Sequence, residues 1–69
     1  IIMITLEPGD LLIEKDGSFA ILLKRDDSLG VGAWKVIWND GKTDMLPWVE
    51  TSIKAEIYDG FLKHIKGGN

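Results

Sequence analysis

Four turn signals punctuate the chain between Pro8 and Gly41: Pro8-Gly9-Asp10, Asp16-Gly17-Ser18, Asp26-Asp27-Ser28-Leu29-Gly30 and Asn39-Asp40-Gly41. Between them lie apolar runs too short for helices of ordinary length but long enough for strands. This spacing predicts consecutive antiparallel strands. Leu11–Glu14 and Phe19–Lys24 read as a hairpin joined through Asp16-Gly17, since Asp-Gly supplies the positive φ angles that a tight turn needs. A longer loop follows, with Gly30 and Gly32 as hinges, and then a third strand over Ala33–Trp38. Asn39-Asp40-Gly41 turns the chain into a fourth strand, Lys42–Leu46, which Pro47 ends because proline cannot donate to a ladder.

The period changes after Pro47. In VETSIKAEIYDGF the apolar residues Val49, Ile53 and Ile57 recur every four positions, a helical stripe. Thr51 or Ser52 is the expected cap. Glu50 and Lys54 form an i,i+4 pair in the favourable order. Asp59-Gly60 is the expected stop, and Phe61–Ile65 reads as a fifth strand. The Gly67-Gly68-Asn69 tail is expected to fray.

The chain of 69 residues is one domain, and its core is small. Without cysteine it has no disulfide, and with a single histidine it lacks the usual ligands of a zinc site. Large side chains, self-association or both must supply the stability. The three tryptophans, Trp34, Trp38 and Trp48, all fall within fifteen residues.

The layout, five short strands with helix before the last, is that of a small mainly β SH3-like barrel. Pro8-Gly9-Asp10-Leu11 followed by Asp16-Gly17 resembles the opening of KOW, Tudor and other SH3-like modules. Trp34-Lys35-Val36-Ile37-Trp38-Asn39-Asp40-Gly41 resembles their third strand and its turn. The whole is similar to small uncharacterised phage-type proteins with this barrel. Ser18-Phe19-Ala20 stands where KOW segments usually place a glycine. The first turn also lacks the aromatic that a methyl-lysine cage would require.

Alternation places Trp34, Val36 and Trp38 on one face of the third strand and Lys35, Ile37 and Asn39 on the other. The tryptophan face lines the core, or one ring sits at its rim and stacks on a ligand. Trp34, beside the glycine loop, is expected to be partly exposed and Trp38 to be mainly core. Trp48 is expected to pack on the helix or form an exposed edge. Ile37 implies that the strand's second face is also covered, by the helix or a partner chain. Asp40 and Asp44 would complete a site for a cationic group, or serve only as turn and solvated strand residues.

Catalysis has no support: there is no cysteine nucleophile, no serine in a nucleophile elbow, and no phosphate loop at Gly30-Val31-Gly32. The net charge of −3 disfavours general nucleic-acid binding. Lys63, His64 and Lys66 form only a small basic cluster, expected to be a solvated face, and His64 has no partner at ligand spacing. No apolar run reaches the roughly 20 residues of a membrane span, and no signal peptide is read at Ile1–Ile4, so the expected location is the cytoplasm. The expectation is therefore a non-enzymatic module without a cofactor that binds a peptide or protein surface through the tryptophan region. The alternatives are a KOW-like nucleic-acid module using Lys35, Lys42, Lys63 and Lys66, and a subunit that self-associates through Ile1–Ile4 as a homodimer.

Overall fold

The computed structural model describes residues 4–28, 30 and 32–67. Five strands form one antiparallel sheet: β1 (Leu11–Glu14), β2 (Phe19–Asp26), β3 (Ala33–Trp38), β4 (Thr43–Met45) and β5 (Leu62–Ile65). A single helix, α1 (Glu50–Tyr58), precedes β5. The strands lie side by side in the order β4-β3-β2-β1-β5, so β5 returns across the sheet to pair with β1. The mainly β reading and the helix before the last strand both hold.

Alternation of side chains builds the core. Leu12, Ala20, Leu22, Trp34, Val36 and Leu62 turn to one face of the sheet. Leu6, Leu46 and Ile53 of α1 are buried with them in the same cluster, and Ile4, Trp38 and Ile57 pack around the margin. Ile4 is thus held against the core, while Ile1, Ile2 and Met3, invoked for self-association, lie outside the described residues. No helix among the described residues is long and apolar enough to cross a membrane.

Several boundaries differ from expectation, each for a local reason. β2 continues to Asp26 because an irregularity between Leu22 and Lys24 restores its pairing with β3. β5 starts at Leu62 because Phe61 is still used by the helix: its N–H donates to the Glu56 carbonyl at 2.9 Å, and the Gly60 N–H donates to the Ile57 carbonyl at 3.2 Å.

The start of α1 is a correction. Neither Thr51 nor Ser52 caps it; Val49 is the extended N-cap residue and provides no side-chain bond. The Glu50 N–H instead donates to the Gly32 carbonyl at 2.8 Å, so the long loop satisfies a group that a cap would otherwise serve. Gly32 must be glycine for this. Its φ is +71°, and a Cβ there would meet Arg25 Nη2 at 3.0 Å and Glu50 Cβ at 3.1 Å.

Candidate functional site

The three tryptophans separate by depth. Trp34 is 1 % exposed, which overturns the expectation of partial exposure. The loop through Gly32 docks on the start of α1, at the Glu50 that also bonds the ring. Its indole Nε1 donates to Glu50 Oε1 at 3.3 Å, and Arg25 Nη2 donates to Glu50 Oε2 at 3.0 Å. The Glu50 carboxylate thus joins the core ring to a strand cation rather than following the anticipated helical pairing with Lys54. Glu50 and Asp27 hold the Arg25 pKa above its ordinary value. Trp38 is half-buried at the edge of the core, close to the expected place.

Trp48 is the ring that remains available, 37 % exposed in the segment between β4 and α1. It forms a ridge shared by two concavities. One, of about 380 Å³, lies between Trp48, Met45, Pro47, Ala33 and the acid Asp26. The other, of about 250 Å³, lies between Trp48, Phe61, the acids Glu14 and Glu56, and Lys15. Phe61 is 52 % exposed, and Lys15 Nζ sits 4.8 Å from the centre of its ring. Met45 and Phe61, which extend the apolar surface around Trp48, were not singled out in the sequence. Phe61 reads there as a strand residue, and only the helix cap places it at the rim.

Asp40 and Asp44 do not join this arrangement. Asp40 Oδ1 accepts the Lys42 N–H at 2.9 Å, and Asp44 Oδ1 accepts the Met45 N–H at 2.8 Å. Both are exposed, and neither lines the concavities beside Trp48. Their bonds are those of turn and strand-end chemistry.

A second polar centre was missed from the sequence altogether. Asp10 is 1 % exposed and accepts three bonds: from the Gly67 N–H at 2.8 Å, the Glu7 N–H at 3.0 Å and His64 Nε2 at 2.8 Å. Burial acts to raise the Asp10 pKa, but the bonds from Gly67, His64 and Glu7 and the charge of His64 together hold it below 3.8. Lys66 Nζ reaches Glu7 Oε2 at 2.9 Å outside this centre. His64 is therefore partnered and largely buried rather than solvated. Gly67 is fixed rather than frayed; a Cβ on it would meet the Gly9 carbonyl oxygen at 2.8 Å. Gly68 and Asn69 lie outside the described residues. Fifty-four residues separate Asp10 from His64, so no local pattern could have revealed the pair. Among the described residues, no group of three or more His, Cys, Asp or Glu side chains is placed to hold a metal ion.

No protein-family model, curated protein or solved structure matches the chain.

The depths of the three rings can be measured. With single Trp→Phe variants, acrylamide is expected to quench the Trp48 contribution freely and the Trp34 contribution hardly at all. Equal quenching of the two would contradict the separation.

Proposed function

We propose that the protein is a non-enzymatic interaction module of SH3-like type that binds a peptide or protein surface across the Trp48 ridge. The strand number and the helix before the last strand support the SH3-like part of this reading. The observation that carries the binding part is the position of Trp48: a partly exposed aromatic between two concavities, each with an apolar wall and at least one acid. A large ring standing between hollows offers much contact area at little cost in side-chain entropy. Three acids, Glu14, Glu56 and Asp26, against one base, Lys15, favour positive charge beside the apolar anchor. The ligand class is thus a segment with an apolar side chain flanked by Lys or Arg.

The nucleic-acid alternative is weaker. Lys66 is engaged by Glu7, and Lys35 and Lys63 lie on strands separated by two others, so the four lysines do not form one stripe.

Selection of a random peptide library against the protein tests the proposal. Enriched peptides are expected to pair an apolar residue with basic neighbours. Their binding is expected to weaken by about tenfold or more in Trp48→Ala, as for a central aromatic anchor, with little change in Trp38→Phe. Enriched peptides that bind Trp48→Ala as well as the parent would sink the reading, as would a selection that enriches nothing.

A further inference from the structure

The hollow between Trp48 and Phe61 already holds a cation from the chain itself. Lys15 stands in the β1–β2 turn, where the Gly17 N–H donates to the Glu14 carbonyl at 3.0 Å and the Ser18 N–H donates to Asp16 Oδ1 at 2.9 Å. Glu14 pairs with Leu62 in the β1–β5 ladder, so this turn lies beside the start of β5. Phe61 is fixed there by its bond to the Glu56 carbonyl. Lys15 Nζ rests 4.8 Å from the centre of the Phe61 ring and is in no ion pair among the described residues. Glu14 and Glu56 line the same hollow, and neither carboxylate is bonded. Of the eleven acids, Asp59 alone shares that condition among the described residues; the other eight carboxylates each accept a bond. The second hollow beside Trp48 differs. Its acid, Asp26, already accepts the Ser28 N–H at 2.9 Å, and most of its wall is apolar.

We propose that Lys15 is a resident ligand of the Trp48–Phe61 hollow, which the cationic side chain of a partner must displace. The proposal rests on the peptide-binding reading of the Trp48 ridge and assigns the partner's cation to this hollow. Two carboxylates and one ammonium leave a formal charge of −1 there, so the hollow still attracts a cation with Lys15 in place. Its volume of about 250 Å³ is below the roughly 300 Å³ of a small-molecule pocket and suits one side-chain head. A cation that stacks on Phe61 within the hollow competes with Lys15 for the ring. The tethered ammonium acts at an effective concentration in the millimolar range. An incoming lysine only replaces like with like. An arginine gains by the exchange: its planar guanidinium stacks on the ring and carries donors enough for both carboxylates. Lys15 thus sets a threshold that arginine passes and lysine does not.

Free N-acetyl-L-argininamide is the probe, added to the intact chain up to about 50 mM while amide and indole chemical shifts are read. Shifts are expected at Glu14, Glu56, Phe61 and the Trp48 indole, with Kd about 1–10 mM. N-acetyl-L-lysinamide is expected to bind at least about threefold more weakly. Lys15→Met is expected to lower the argininamide Kd at least about threefold. Lys42→Ala, which removes the same charge at the β3–β4 turn, is expected to leave it unchanged. Joint Glu14→Gln and Glu56→Gln replacement is expected to abolish binding, with the near-ultraviolet signal of buried Trp34 reporting that the variant folds. The Lys15 ε-methylene protons give a reading that needs no variant of the acids. The Phe61 ring current is expected to shift them upfield in the parent, and saturation with argininamide to reverse the shift. Absence of shifts around the hollow at the highest concentration overturns the proposal. So does an argininamide Kd indifferent to Lys15→Met, or Lys15 protons that do not move as the probe saturates. Library peptides that need Trp48 but are indifferent to Lys15→Met and to the double acid variant would overturn this inference and leave the Trp48 reading standing. Exchange of argininamide with Lys15, in a protein that enriches no peptide, would support the resident cation and sink the Trp48 reading.

Discussion

Replacing Asp10 by alanine is expected to remove about 3–5 kcal/mol of stability, because three hydrogen bonds to a buried carboxylate, each worth about 1.5–3 kcal/mol, lose their acceptor. The substitution leaves the Gly67 and Glu7 N–H groups and His64 Nε2 facing an empty space. Domains of this size rarely hold more than about 3–5 kcal/mol in total, so the variant should be largely unfolded at 25 °C and show no cooperative urea transition. Asp10→Asn keeps the shape but turns an amide donor toward donors, and should cost about 1–3 kcal/mol. Lys66→Ala supplies the contrast. Its partner Glu7 and its own side chain are each 58 % exposed, so the loss should be small. Equal urea midpoints for Asp10→Ala and Lys66→Ala would refute the assignment. The pH dependence has a definite sign. The folded Asp10 carboxyl titrates below its ordinary value, so the unfolded chain binds its proton first as the solution is acidified. The Asp10 contribution is complete above about pH 4 and is lost as the pH falls through the folded value. The parent should therefore lose urea resistance in that acid range by more than Asp10→Asn does.

Trp34→Ala is expected to be comparably severe. The ring is the largest side chain that is fully buried, and removing a buried Trp costs about 3–5 kcal/mol through lost transfer energy and the cavity left behind. Glu50 would also lose the indole donor, leaving Arg25 as its remaining partner. Trp34→Phe retains most of the volume and should lose about 1–2 kcal/mol. Trp48→Ala, by comparison, removes a ring already more than a third exposed and should change stability far less. Thermal melts of the three variants check this order, and a Trp34→Ala midpoint matching that of Trp48→Ala would refute it.

The fold was legible in the sequence where local chemistry dictates it. Strands β1 and β3 and the end of α1 were placed within their turn signals, because Asp-Gly and Asn-Asp-Gly act over three or four residues. The start of α1 was not, because its first N–H finds a carbonyl eighteen residues upstream, at Gly32. Trp34 was assigned to the right face but the wrong depth. Alternation gives the direction of a side chain, whereas its cover comes from a loop docking on a helix. Trp48 could be named as a candidate, yet its two concavities are made by Met45, Phe61 and acids from three other elements. Ile37 implied cover by the helix or a partner chain, but α1 packs on the opposite face through Ile53, and Ile37 stands in register with Ile21, Leu11 and Ile65 on the other.

The return of β5 to β1 also bears on how the chain is made. Hairpins such as β1–β2 close in about 1–10 µs. At 5–20 residues per second, synthesis takes roughly 2–10 s to advance from Glu14 to Leu62, its partner in the ladder. For that interval a nascent chain has β1 open along one edge and Asp10 waiting for His64 and Gly67. Both apolar faces of the young sheet are meanwhile uncovered, before Ile53 and Leu62 arrive to bury one of them. An open strand edge is a template for pairing with other chains. Slower synthesis would prolong that exposure and lower the yield of folded protein.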